Sequence, residues 1–151
     1  MQDLATLVSQ PERRRAVVED CVKLVESEVR AKSGLTGFAV KTAFTVVKAL
    51  KPTMIHELVE ALLDEFVGQL DPFYAEHQRE GSAESLERYL AARSDRVAES
   101  LLAVTDRRAE RSTHRTLVGA YQKLRPKGKE HVLAAVPGVG RVLDRHVGAL
   151  K

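Results

Sequence analysis

Residues 33–74 hold two consecutive apolar-faced segments joined at Lys51-Pro52, and this pairing constrains the fold most. In the second segment, roughly Thr53 to Leu70, Ile55, Leu58, Val59, Leu62, Leu63, Phe66, Val67 and Leu70 recur at helical spacing. The first, roughly Leu35 to Leu50, carries only Lys41 and Lys48 as charges. Its breadth of apolar residues predicts a central helix, buried nearly all round with a thin wet edge. Proline disfavours helical geometry in the residue before it, so Lys51-Pro52 separates the two.

The rest of the chain repeats this grammar. Pro11 opens a helix to about Ala31, with Val17, Val18, Cys21, Val22, Leu24, Val25 and Val29 inward and Ser33-Gly34 as its stop. Asp71-Pro72 reads as a restart, with aspartate as cap and proline in the first turn of a short helix, Phe73 to Arg79. A fifth helix is expected from about Ser82 to Glu110, and a sixth, capped by Ser112 or Thr113, buries Leu117, Val118, Tyr121 and Leu124. After Arg125-Pro126-Lys127-Gly128 a last helix is expected to break at Val136-Pro137-Gly138-Val139-Gly140 and resume to Leu150. No strand alternation of useful length, repeat or low-complexity tract interrupts this pattern. The expectation is an all-α chain, residues 1–151 forming a compact single-domain bundle of six to seven helices.

Composition bounds the function. Cys21 is the single cysteine, which rules out an intrachain disulfide and a cysteine-ligated metal cluster and fits a reducing compartment. Met1 to Gln10 lacks the basic and apolar regions of a signal peptide, and no apolar run reaches about 18 residues. The expected location is cytoplasmic. The net charge of +3 conceals an asymmetry: residues 1–75 carry 9 bases and 11 acids, and residues 76–151 carry 15 bases and 10 acids.

That asymmetry supplies the candidate sites. Residues 52–76 contain six acids and no lysine or arginine; Glu57, Glu60, Asp64 and Glu65 form a candidate acidic partner surface. Residues 107–129 contain eight bases against Glu110 alone. Arg107, Arg108, Arg111, Arg115, Lys123, Arg125, Lys127 and Lys129 therefore make a candidate anion or nucleic-acid surface. Arg141 joins it through Pro137-Gly138-Val139-Gly140, which looks like the turn of a helix-hairpin-helix DNA-binding motif, although Asp144 stands where that motif has a small residue. Tyr121 is the only aromatic in the basic stretch, which disfavours stacking on single strands. His56-Glu57-Leu58-Val59-Glu60 echoes a zinc-protease helix, but Glu60 replaces the second histidine ligand. Nucleophile and phosphate-loop motifs are absent, so no catalytic, cofactor or metal residues are assigned and no cofactor is expected.

Three functions follow in order. The first is a non-enzymatic interaction or assembly protein, its acidic (52–76) and basic (107–129) surfaces meeting a protein partner or a second copy. The second is nucleic-acid binding through the 107–129 segment and the Pro137–Arg141 turn. The third is binding of a lipid or other apolar ligand beside the 35–50 helix, which a roomy apolar cavity there would favour and a filled core would not. Binding to a membrane surface is not favoured.

Lys32-Ser33-Gly34-Leu35-Thr36-Gly37-Phe38-Ala39-Val40-Lys41, Val46-Val47-Lys48-Ala49-Leu50-Lys51-Pro52 and Leu70-Asp71-Pro72-Phe73-Tyr74 resemble a small family of uncharacterised bacterial proteins. Tyr89-Leu90-Ala91-Ala92-Arg93 and Leu101-Leu102-Ala103-Val104-Thr105-Asp106 fit it too. The resemblance covers most of the chain and implies a cytosolic, all-helical, stand-alone domain without a transferable activity or site.

Overall fold

The computed structural model describes residues 3–81 and 83–148. Ser82 and Leu150, named above as helix ends, lie outside the described residues. Within them the chain is all-α, with eight helices: α1 (Leu4–Ser9), α2 (Pro11–Ala31), α3 (Gly34–Leu50), α4 (Met54–Arg79), α5 (Leu86–Ala91), α6 (Ser94–Arg111), α7 (Arg115–Leu124) and α8 (Gly128–Val147). A 3-10 turn, Arg125–Lys127, links α7 to α8.

The core draws on α1, α2, α4, α5, α6 and α8, with Leu4, Val18, Leu63, Phe73, Tyr89, Val97 and Val136 among its members. The last helix, α8, is the hub; it packs on α1, α2, α5 and α6. Helix α7 contains no fully buried residue. It leans on α3, and the two form a thin outer layer.

Two six-residue helices are too short to be stable alone, and both are held from outside. Asp3 caps α1 by accepting from the Thr6 N–H at 3.0 Å, and Asp71 on α4 accepts the Leu4 N–H at 2.8 Å. Ser85 caps α5 at the Arg88 N–H, while Asp144 on α8 accepts the Leu86 and Glu87 N–H groups at 2.8 and 3.0 Å. Each aspartate satisfies helix-end donors that would otherwise be orphaned. Asp144, which weakened the DNA-hairpin reading, thus has a structural task.

Several boundaries differ from the sequence reading. Asp71-Pro72 does not restart the chain: α4 runs through Pro72. A proline inside a helix removes one hydrogen bond and crowds the preceding turn, at about 3 kcal/mol together. Burying Phe73 and Tyr74 beyond it returns about 2 kcal/mol each, and Asp71 is used to hold α1 instead. Likewise Pro137 lies inside α8, because Val136, Leu143 and Val147 on either side are buried. Helix-hairpin-helix geometry is therefore absent; Pro137 to Arg141 are helical residues, not a turn.

The expected fifth helix is split at Ala92-Arg93, where Arg93 leaves helical geometry at φ −119° and ψ 26°. Its guanidinium stacks 3.6 Å from the Tyr89 ring centroid and donates to the Tyr89 carbonyl. The cap of α7 is His114, not Ser112 or Thr113; the Ser112 hydroxyl instead accepts the His114 N–H.

The largest correction concerns α3. It is peripheral rather than central: Leu35 is 91% exposed and Phe38 72%, with Val46 and Leu50 also exposed. Only Gly37, Val40 and Val47 turn fully inward.

Candidate functional site: an apolar cavity with a polar end

Between α2, α3, α4, α6, α7 and α8 lies an apolar cavity of about 510 Å³. Its walls are the inward stripes predicted from periodicity, and Val17, Leu63, Val67, Leu70, Leu101 and Leu143 are both core residues and lining. Valines dominate the lining, including Val17, Val25, Val40, Val59, Val132 and Val139, and Phe66 is its single aromatic. Valine side chains reach less far into the space between helices than leucine or phenylalanine would. The sequence contains no tryptophan and only 5% aromatic residues, so bulk that could close the gap is missing. The thin α3/α7 layer closes one side through Val40 and Leu124 alone.

One end of the cavity is polar. Glu28, Lys32 and His131 line it there, and Glu28 and Lys32 form an ion pair at 3.7 Å, one helical turn apart. His131 Nε2 is buried and has no hydrogen-bond partner among the described residues. Burial, reinforced by the Lys32 charge, holds the His131 imidazole below its ordinary pKa, against a smaller pull from Glu130. A second pocket of about 220 Å³ shares His131 and Leu124 with the cavity and is lined further by Leu35, Thr36, Ala39, Lys123 and Lys127. It is a separate pocket at the outer layer, with Lys123 and Lys127 in its lining.

Cys21 also lines the cavity. Burial, with a smaller contribution from the Asp20 charge, pushes its thiol up to about 11, so it is nearly all protonated and a poor nucleophile at neutral pH. The sequence reading placed Cys21 on an inward stripe; it packs against the core and lines the cavity.

The His131 shift has a pH consequence. Folding disfavours the charged form of this imidazole, while the unfolded chain protonates it near pH 6.5. Its contribution is therefore present above that pH and lost as pH falls through it. Thermal unfolding of the wild type and His131→Leu between pH 7.5 and 5.5 should show a smaller drop in the variant; parallel curves would contradict this assignment.

The charged surfaces expected from sequence are largely paired within the molecule. On α4, Glu60 and Asp64 both bind Arg14 (2.6 and 2.8 Å), Glu57 binds Lys51 at 3.0 Å and Glu65 binds Arg111 at 3.4 Å. Among the basic residues, Arg125 grips Asp106 with two bonds at 2.8 and 3.1 Å. The Arg125 bond, joined by one from Tyr121, holds the Asp106 carboxyl below its ordinary range despite burial. Lys129 bridges Asp95 and Glu99, Lys127 reaches Glu130, and Arg141 binds Glu87. Arg107, Arg108, Arg115 and Lys123 are exposed and carry no ion pair among the described residues. They are spread over α6 and α7 and do not converge on one groove. Such exposed pairs contribute little to stability, at most about 1 kcal/mol each.

Among the described residues no cluster of three or more histidine, cysteine, aspartate or glutamate side chains could hold a metal. No helix among them is long and apolar enough to cross a membrane.

Residues 4–147 match a family model described as "Family of unknown function (DUF6918)". The chain belongs to that family. No curated protein matches it, and neither does any solved structure. The family match spans α1 through the end of α8, so every wall of the cavity lies within the family unit.

Proposed function

We propose that the protein is a non-enzymatic binding protein for a single-chain amphiphile, with the apolar chain inside the bundle and a polar head at the His131 end. The cavity carries this reading. Its volume of about 510 Å³ falls in the range of small-molecule sites, about 300–1,000 Å³, and its walls are apolar with few polar groups at one end. A straight chain suits walls of small side chains better than a rigid polycyclic body does. Burying about ten methylenes would gain about 8 kcal/mol before the cost of ordering the chain, so the apolar contribution alone allows at best micromolar binding. Lys123, which has no ion pair among the described residues, would favour an anionic head over a neutral one, and His131 Nε2 would gain the hydrogen bond it lacks.

The acidic and basic surfaces favour assembly less strongly, because Glu57, Glu60, Asp64 and Glu65 already meet cations of the same chain. Native mass spectrometry tests the proposal. The protein should carry a co-purifying amphiphile, or take up one dodecanoic acid per chain when delipidated. An apo mass both as purified and after incubation with dodecanoic acid would end it.

A further inference from the structure

Helix α3 is folded onto the bundle by one edge and leaves its opposite face bare. Leu35, Phe38 and Val46 project from that face, with Thr42 and Ala49 between them at helical spacing. Leu35 and Phe38 are 91% and 72% exposed, more than any other large apolar side chains described. An isolated exposed leucine needs no explanation, but a whole apolar helix face does. Lys41 and Lys48 lie along its border, and neither pairs with an acid among the described residues. The sequence around it is one-sided as well. Residues 29–56 contain five lysines or arginines and no aspartate or glutamate; Lys32 and Lys51 are answered by Glu28 and Glu57 just outside that stretch, which leaves Arg30, Lys41 and Lys48.

We infer that this face of α3 docks on an anionic lipid bilayer. An apolar face edged by lysines suits the headgroup boundary, where apolar side chains enter the acyl region and lysines meet lipid phosphates. A second copy of the chain fits less well, because it would set cations against cations. The small pocket lined by Leu35, Thr36 and Ala39 belongs to the same helix and shares Leu124 and His131 with the cavity, so docking would bring that end of the cavity toward the lipid surface. That last link rests on the chain-binding reading above; the docking itself rests on exposure and charge.

Sedimentation of the full chain with vesicles tests it. The wild type should pellet with vesicles of equal parts phosphatidylglycerol and phosphatidylcholine, and far less with phosphatidylcholine alone. Each basic residue near the surface contributes about five-fold in partitioning, so Lys41→Glu/Lys48→Glu should weaken binding at least about twenty-fold. Phe38→Glu should weaken it comparably while circular dichroism stays unchanged, since this side chain packs against little. Binding should persist in a variant whose cavity is filled, Ala135→Phe/Val139→Phe, which separates docking from chain uptake. Wild type remaining in the supernatant, or lysine reversal without effect, would overturn the inference. So would a dimer in solution that Phe38→Glu dissociates, since the face would then belong to a second copy.

Discussion

Replacing Gly140 by alanine should lower stability by about 2–3 kcal/mol, whereas Gly138→Ala, two residues earlier in the same helix, should cost little. A Cβ at Gly140 would come within 2.4 Å of the Glu87 Cα and 2.8 Å of the Glu87 backbone nitrogen. Those are backbone atoms of α5, and they cannot retreat without releasing the Asp144 bonds to the Leu86 and Glu87 N–H groups. Docking of α5 on α8 depends on that contact, and with it the burial of Leu86, Tyr89 and Leu90. At Gly138 the added methyl would meet Leu24 Cδ1 at 2.3 Å, the free end of a flexible side chain that borders the cavity. Leu24 can swing into that space, and alanine is favoured over glycine in a helix by about 1 kcal/mol. Denaturant midpoints of the two variants would measure the contrast. Equal losses would show that Leu24 has nowhere to go and that the cavity is tighter than described.

Filling the cavity should abolish uptake without harming the fold. Ala135 and Val139 both line it and stand one turn apart on α8. Phenylalanine at both positions places two rings in the space a chain would occupy. Dodecanoic acid binding should fall at least about ten-fold, and Tm should hold or rise. The rings replace void, and residual cavity costs about 24 cal/mol per Å³ in other proteins. In the wild type, saturating dodecanoic acid at about 100 times its Kd should stabilise by about 2.7 kcal/mol. For a chain of this size that is a Tm increase of roughly 5–10 °C, readable in a thermal melt. The filled variant should show no such increase. A collapse in the variant's own Tm would mean that the walls pack closely and that the hollow is not available to a ligand.

Periodicity read the helices well and their packing poorly. The stripes of α2 and α4 were plain, because apolar residues at helical spacing leave few alternatives. The Pro52 boundary was plain too. Pro72 and Pro137 misled, since local chemistry predicts a break and only the burial of Phe73, Tyr74, Val136 and Leu143 keeps each helix running. The break at Ala92-Arg93 was illegible for the opposite reason: Leu86, Tyr89, Leu90, Val97, Leu101 and Val104 keep helical register straight across it. Helix α1 was missed, though Asp3 followed by Leu4, Leu7 and Val8 is a cap and an apolar stripe in miniature.

The exposure of α3 could not be read from its residues. Hydrophobicity states a preference for burial, and only the count of neighbouring elements decides whether it is met. The cavity left a faint signal in the valine-rich stripes and the scarcity of aromatics. His131 gave none, because a lone histidine in a helix says nothing about its partners. Charge runs were legible as runs, but not that Arg14, 46 residues from Glu60, would answer the acidic face.

Cys21 allows the account's central claim to be measured where the chain is said to lie. Its thiol lines the cavity and is pushed up to about 11, so N-ethylmaleimide should modify it slowly in the folded protein. Saturating dodecanoic acid should slow that reaction further, at least about ten-fold, and should have no such effect in Ala135→Phe/Val139→Phe. A rate in the wild type that dodecanoic acid leaves unchanged would contradict occupation of the cavity.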